Sequence, residues 1–128
     1  MRGTKNIYAS TESKNIQQLG FPYNDSKMQI TIRKMEKEIN VLITLKGQIV
    51  CNSYSERCYV SVKSDDSKIL QYDFTEAAHG RSDLIFINKE KEFVELLKKS
   101  KNLIVEVPLF NYGRQQYNFD VSGLKWDE

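Results

Sequence analysis

The chain has 128 residues, of which 40% are hydrophobic, so it is long enough and apolar enough to form one globular domain with its own core. Its 19 basic and 17 acidic residues are mixed along the chain, which leaves a net charge of +2 and no basic block, and we predict no nucleic-acid partner. Two prolines and an aromatic content of 11% argue against disorder. No apolar run approaches the roughly 20 residues of a membrane-spanning helix, so we expect a soluble domain.

The first 26 residues are polar and rich in turn-forming residues, and we predict that they form an extension before a single β-rich domain at 27–128. Within this extension, 6–10 has the character of a short edge strand, and 20–25 carries the Pro, Asn and Asp of a turn. No internal repeat or low-complexity segment divides the chain further.

Apolar and polar residues alternate along much of the chain after position 27, which is the pattern of half-buried strands. The alternation covers 28–32 and 39–45, with a polar connection between them, and predicts a hairpin. It returns at 58–62 and at 70–74, on either side of the turn Asp65-Asp66-Ser67, and predicts another hairpin.

One segment has helical spacing instead. Phe93 and Leu97 fall on one helical face, with acidic residues early and lysines late in the segment. We predict a helix at about 89–101, with Asn88 accepting a hydrogen bond from a free first-turn N–H. The short apolar strand 84–87 leads into this helix.

Alternation over 103–109 and 117–121, on either side of a Gly-containing loop, predicts a last hairpin whose apolar face the helix can partly cover. Counting gives about eight strand-like segments, mostly in consecutive hairpins, and one late helix. The predicted fold class is therefore mainly β (α+β), an antiparallel β-sandwich or partly open barrel of about eight strands with the helix packed against it.

Cys51 and Cys58 are the two cysteines, and each lies where a strand is expected to meet a loop. Opposed positions on antiparallel strands bring Cα atoms within disulfide distance, so the spacing permits a bridge that would contribute roughly 2.5 kcal/mol through loop entropy. We predict this disulfide, with two reduced thiols as the alternative. Six intervening residues do not fit a redox or zinc motif. A disulfide would indicate an oxidising compartment.

His79, the only histidine, lies in a polar crossing close to Ser82 and Asp83. These residue types can act as base, nucleophile and orienting carboxylate, so the alternative function is a hydrolase that uses His79 with Ser82 and nearby carboxylates. No nucleophile-elbow motif surrounds Ser82, however, and a histidine on a surface loop explains the pattern. We therefore predict that the protein is not an enzyme and has no catalytic residues.

Two groups of acidic residues are candidates for a functional site. Asp65 and Asp66 lie next to Ser67, but a calcium loop needs more oxygen ligands at regular spacing, and a turn explains them. Asp73, Glu76 and Asp83 could form an acidic patch near the polar crossing, but the sequence sets no distance between them. We predict neither a metal site nor a cofactor.

Aromatic residues in predicted loops are the candidates for partner binding, because exposed aromatics are enriched where proteins contact each other. Tyr54 lies in the loop between the cysteines, and Phe110 and Tyr112 lie in the last hairpin loop. Tyr59 and Tyr117 are further candidates. The alternative is that Phe110 and Tyr117 belong to the core.

Several short segments, in this order and spacing, resemble a group of uncharacterised small proteins of Gram-negative bacteria that carry a secretion or lipoprotein signal. The most distinctive is the closing Phe119-Asp-Val-Ser-Gly-Leu124, and the others include Tyr8-Ala-Ser10, Phe21-Pro-Tyr23, Lys46-Gly-Gln-Ile-Val-Cys51 and Cys58-Tyr-Val-Ser-Val62. The resemblance implies a secreted or envelope-held protein with no established enzymatic activity, and it maps the two cysteines of those proteins onto Cys51 and Cys58.

These observations lead to one functional expectation. We expect a non-enzymatic binding or accessory domain that is periplasmic or associated with the outer membrane and whose partner is another protein or an envelope component. The chain shows no signal segment at its start, so we expect a signal to have been removed, and the native form could be membrane-anchored through that missing signal or a lipid.

Overall fold

A computed structural model describes residues 6–19, 25–35, 38–50, 58–65, 68–76, 83–109 and 112–122 of the chain. Within these residues there are ten strands and one helix: β1 (Asn6–Glu12), β2 (Gln17–Gln18), β3 (Asp25–Ser26), β4 (Gln29–Met35), β5 (Glu38–Thr44), β6 (Tyr59–Ser64), β7 (Ile69–Glu76), β8 (Leu84–Ile87), α1 (Glu90–Lys99), β9 (Asn102–Leu109) and β10 (Gly113–Asp120). The predicted mainly β fold with one late helix is confirmed.

Eight of these strands form one antiparallel sheet in the order β1-β4-β5-β8-β7-β6-β9-β10, and β2 pairs with β3 separately. The predicted hairpins β4-β5, β6-β7 and β9-β10 are all present. Two pairs of neighbouring strands, β5 with β8 and β6 with β9, are far apart in the sequence. Their pairing joins the hairpins into one sheet. The predicted edge strand at 6–10 is present as β1, which pairs with β4 over seven residues.

The sheet curls until its two ends meet along part of their length. The Lys14 N–H, just after β1, donates to the Asn118 carbonyl in β10 at 2.6 Å, and the Asn118 N–H donates to Asn15 Oδ1 at 2.7 Å. The Gln17 side chain donates to the Gln116 carbonyl at 2.6 Å. We call this contact the seam. It makes the sheet a partly open barrel, because β1 itself pairs only with β4 among the described strands.

The alternation of the sequence sorts side chains onto the two faces of the sheet, as expected for strands. The inward residues form one core cluster, which includes Met28, Ile30, Ile32, Val41, Ile43, Val60, Val62, Tyr72, Phe74, Ile85, Ile87, Leu103, Val105, Val107, Leu109, Tyr117, Phe119 and Val121. The helix α1 contributes Phe93, Val94 and Leu97 to this cluster. The rings of Phe93 and Tyr72 meet edge to face with centroids 5.2 Å apart, so the predicted cover of the sheet by the helix is observed.

The start of α1 differs from the prediction. The residue before the helix is Lys89, which has a left-handed backbone with φ 57° and makes no side-chain capping hydrogen bond. Asn88 makes hydrogen bonds with β7 instead. Its N–H donates to the Asp73 carbonyl at 2.9 Å, and its Oδ1 accepts from the Thr75 hydroxyl at 3.0 Å. The prediction that Asn88 caps the helix was therefore wrong, since pairing with β7 engages that residue.

One buried polar contact ties β10 to the strands at the opposite end of the sequence. Ser26 and Tyr117 are both fully buried, and their hydroxyl oxygens are 2.9 Å apart. Because the single Ser26 hydroxyl proton is donated to the Lys46 carbonyl at 2.6 Å, the Tyr117 O–H is the donor to Ser26. Burial raises the pKa of Tyr117, and the bond to Ser26 opposes this rise. Tyr117 is thus a core residue and not a binding aromatic.

Candidate binding surface

The outward side chains of four neighbouring strands, β7, β6, β9 and β10, form a continuous surface that we call the outer face. Strand register aligns Gln71 with Ser61, Ser61 with Glu106 and Glu106 with Gln116, so these four side chains form one cross-strand row. Directly opposed side chains on antiparallel strands lie close enough to contact each other. The members of the outer face used below are Tyr59, Ser61, Lys63, Ile69, Gln71, Ile104, Glu106, Arg114 and Gln116.

Arg114 is the most constrained charged group of the outer face. Its Nε donates to Glu106 Oε1 at 2.7 Å, and its Cζ lies 4.5 Å from the centroid of the Tyr59 ring. Its Nη2 lies 3.4 Å from the Ser61 hydroxyl and 3.3 Å from the Glu106 carbonyl oxygen. Because these contacts come from strands β6 and β9 while Arg114 belongs to β10, three strands fix the orientation of one guanidinium group.

Glu106 is the anionic partner in this cluster. The hydrogen bond from Arg114 holds the pKa of the Glu106 carboxyl below its ordinary value of 4.5, the bond from Gln116 and the charge of Arg114 act in the same direction, and partial burial opposes them. The second carboxylate oxygen accepts from Gln116 Nε2 at 3.2 Å. Both charged side chains are about one-third exposed, at 31% for Arg114 and 28% for Glu106, so the pair is accessible to a partner.

A groove of about 350 Å³ lies beside this cluster and is lined by Ser61, Lys63, Ile69, Ile104, Glu106 and Gln116. Ile69 is 66% exposed, which is unusual for a large aliphatic side chain in a strand. Glu106 and Gln116 belong both to the groove and to the cluster around Arg114. The outer face therefore offers aliphatic surface and a fixed cation next to each other.

The predicted partner-binding residues are close to this surface only in part. Tyr112 is half-buried and packs against the core, and its carbonyl accepts from the Gln115 side chain at 2.7 Å. Tyr54 and Phe110 lie outside the described residues. Of the described residues before and after these segments, the Val50 N–H donates to the Pro108 carbonyl at 3.0 Å, and Pro108 lies opposite Arg114 in the register of β9 and β10.

The structure describes only one of the two cysteines. Cys58 is half-buried against the core, directly before β6, and its carbonyl accepts from the Phe74 N–H at 2.9 Å. Cys51 lies outside the described residues. The disulfide between them stays a prediction.

Only some residues of the alternative hydrolase site belong to the part of the chain that the structure describes. His79 and Ser82 lie outside it. Asp83 is half-buried, and its carbonyl accepts from the Leu45 N–H at 3.1 Å. Asp73 and Glu76 are three positions apart on β7, which places their side chains on opposite sides of that strand.

Asp65 has a structural role in the turn after β6. Its carboxylate accepts from the Asn102 N–H at 3.0 Å and from the Lys101 N–H at 3.3 Å, and its backbone is left-handed with φ 49°. This carboxylate joins the turn to the start of β9, as the turn interpretation requires. Among the described residues, no group of three His, Cys, Asp or Glu side chains could hold a metal ion.

Comparison of this chain with protein families, with curated proteins and with solved structures finds no match. The resemblance to small envelope proteins therefore stays a prediction. In the described part of the chain, no helix is both long enough and apolar enough to cross a lipid bilayer.

The cluster around Arg114 was missed in the sequence analysis, although part of its signal was present. The last hairpin was predicted, and its register alone places Gln116 opposite Glu106 and Arg114 one row away on the same face. The contribution of Tyr59 and Ser61 could not be read in the same way, because β6 and β9 are separated in sequence by two strands and the helix.

The lowered pKa of Glu106 leads to a prediction about acid stability. A carboxyl group with a lowered folded-state pKa stabilises the fold above its unfolded pKa, and this contribution disappears as the pH falls through the folded pKa. We expect Glu106→Gln to lower the free energy of unfolding at pH 7 by about 1 kcal/mol or less, and to differ less from the wild type as the pH falls below about 4.5.

Urea unfolding at several pH values between 7 and 2 measures this difference. Glu95→Gln is the matched control, because it removes one exposed helical carboxylate outside the cluster and corrects for the change in net charge. A destabilisation by Glu106→Gln that is as large at pH 2 as at pH 7 would contradict the assignment.

Proposed function

We propose that this protein is a non-enzymatic binding domain of the bacterial envelope that recognises another protein through its outer face and the loops next to it. The observation that carries the proposal is the Arg114 guanidinium, held between the Tyr59 ring and the Glu106 carboxylate beside a groove with an exposed Ile69. An envelope component other than a protein is the second kind of partner that this surface could accept.

The chemistry of the outer face supports a protein partner. Arg and Tyr are enriched among the residues that dominate binding energy at protein interfaces. Arg114 loses little conformational freedom on binding because it is already oriented by strands β6 and β9, and a partner does not have to supply that ordering energy. The aliphatic side chains of Ile69 and Ile104 add apolar surface that a partner can cover.

The size of the outer face supports participation of the loops. Four strands and three cross-strand rows cover roughly 14 Å by 14 Å, or on the order of 200 Å². A standard protein interface buries about 800 Å² on each partner, so the outer face can form only the centre of such an interface. The predicted contacts Tyr54 and Phe110, which lie outside the described residues, are proposed to add to that interface.

An envelope location is part of the proposal and depends on two sequence predictions, the disulfide and the resemblance to small secreted or lipid-anchored proteins. We expect no thiol to react in the protein purified under oxidising conditions and denatured without reductant, and two thiols to react after reduction. Mass spectrometry after alkylation measures both numbers. Two reactive thiols without reductant, in protein recovered from the periplasm, would contradict the predicted disulfide and the location that it supports.

The binding function is tested with matched surface variants. Ile69→Lys and Arg114→Ala change the outer face, and Ile16→Lys is the control because Ile16 is also an exposed aliphatic residue, at 47%, but lies outside the outer face. Proteins retained from an envelope extract by the wild type are identified, purified and measured against each variant by calorimetry. We expect a partner whose Kd rises at least about tenfold with Ile69→Lys and with Arg114→Ala.

Ile16→Lys should change that Kd by less than about twofold, since isolated exposed residues away from an interface contribute little to affinity. A purified partner whose affinity is equally insensitive to all three variants would contradict the assignment of the outer face. Circular dichroism melting of each variant confirms that altered binding does not come from unfolding.

A further inference from the structure

The two edge strands of the curled sheet, β10 and β1, differ in their hydrogen-bond partners. Along β10, hydrogen-bonding groups of Gln116 and Asn118 are engaged by the segment that follows β1, through Lys14, Asn15 and Gln17. β1 pairs with β4 on one side, and none of the described strands pairs with it on the other. Among the described residues, one edge of the sheet is thus covered, whereas the other, along Asn6–Glu12, is open.

The direction of the open hydrogen-bonding groups follows from two bonds at the end of β1. The Ser13 N–H donates towards β4, to the Met28 carbonyl at 2.8 Å, and the Lys14 N–H donates to the opposite side, to the Asn118 carbonyl at 2.6 Å. Successive peptide groups of a strand alternate between its two sides. The N–H and C=O groups of Tyr8, Ser10 and Glu12 therefore point away from β4, towards the open edge.

The sequence of β1 lacks the usual protection of an open edge. Proteins block such edges with lysine, proline, a β-bulge or a very short strand. β1 has seven residues, contains neither lysine nor proline, and pairs with β4 in unbroken register. Its one charged residue, Glu12, is balanced by Lys27 at 3.6 Å, and Tyr8 is 60% exposed.

We propose that β1 pairs with β1 of a second copy of this chain, in an antiparallel arrangement around a two-fold axis at Ala9. A centre at Ala9, the midpoint of Asn6–Glu12, is the arrangement that pairs the whole strand. It places Tyr8 opposite Ser10 of the second copy, and both residues direct their N–H and C=O groups towards this interface. The N–H and C=O groups at the open edge of one copy can therefore bond to the same groups of the second copy, as an isologous interface requires.

Charge also favours a second copy in this arrangement. Glu12 falls opposite position 6 of the other copy and not opposite its own equivalent, so no like charges are directly opposed. Strand pairing alone covers much less than the roughly 800 Å² of a standard interface side, so the dimer is weak and its population depends on concentration. This interface is separate from the outer face and does not depend on the proposed function.

Sedimentation equilibrium and residue-resolved amide exchange over about 10 µM to 1 mM test the proposal, since this range covers the affinities of weak interfaces. We expect a monomer–dimer equilibrium, and slower exchange of the Tyr8, Ser10 and Glu12 amides at high concentration. The Ala9 and Thr11 amides are internal controls, because they face β4 and should be protected at every concentration.

Ser10→Pro removes one open N–H without removing a bond to β4, and Ser10→Lys adds an edge charge of the kind that blocks pairing. Both should weaken dimerisation at least about tenfold, whereas Gln48→Lys, an exposed position outside β1, should not. Melting temperatures close to that of the wild type show that the variants are folded.

Three results would overturn the proposal. The first is a monomer at all concentrations. The second is a dimer that both Ser10 variants leave unchanged, because the interface would then lie elsewhere. The third is protection of the Tyr8 and Ser10 amides that does not depend on concentration, because a segment of the same chain would then cover the edge. Loss of partner binding through Ile69→Lys with the dimer intact would separate this inference from the proposed function.

Discussion

The rest of the structure depends on burial of the inner face of a single eight-stranded sheet. That face carries aliphatic and aromatic residues from all the described long strands, and exposing it to water would cost far more than the net stability of a domain of this size. The sheet covers the face by curling until residues 14–17 reach β10, and α1 contributes Phe93, Val94 and Leu97 to what the curl encloses. Within the described residues, the groove and the charged pair lie on the outward side of the sheet.

This constraint explains why the outer face can hold a charged group in a fixed position. Arg114, Tyr59 and Glu106 belong to three adjacent strands, and the inward neighbours Val60, Val105 and Val107 are fully buried, so the core holds the backbone beneath Tyr59 and Glu106. A guanidinium group on an exposed strand normally loses much rotamer freedom when it binds. Here the ring below it and the carboxylate beside it restrict that freedom before any partner arrives.

Part of the fold could be predicted from the sequence because most of its long strands alternate and three of the neighbouring pairs, β4-β5, β6-β7 and β9-β10, are hairpins. The inward positions of β4, β6 and β9 were all identified by period alone, and the period of α1 was equally clear. Pairings between distant segments were not predictable in this way, because alternation fixes which face a residue occupies but not which strand lies beside it. The seam between residues 14–17 and β10, and the pairing of β6 with β9, are of that kind.

The same distinction applies to individual residues. Asn88 has the right residue type and position for a helix cap, yet its contacts with β7 engage it, and only the three-dimensional pairing reveals that competition. Asp65 was correctly interpreted as a turn residue, but its partners, Lys101 before β9 and Asn102 at the start of β9, are 36 and 37 positions away. The register of the β9-β10 hairpin places Glu106 opposite Gln116. The sequence did not show that β6, which carries Tyr59, lies beside β9.

The central claim is that the Arg114 side chain of the outer face is ordered before a partner binds. Nuclear magnetic resonance relaxation of the Arg114 Nε–H group tests this claim most directly. A guanidinium group held by Glu106 and Tyr59 should give a resolved signal, shifted by the Tyr59 ring current, with an order parameter close to the roughly 0.85 of rigid backbone. An order parameter below about 0.6, without a ring-current shift, would show a freely moving side chain and would contradict the account.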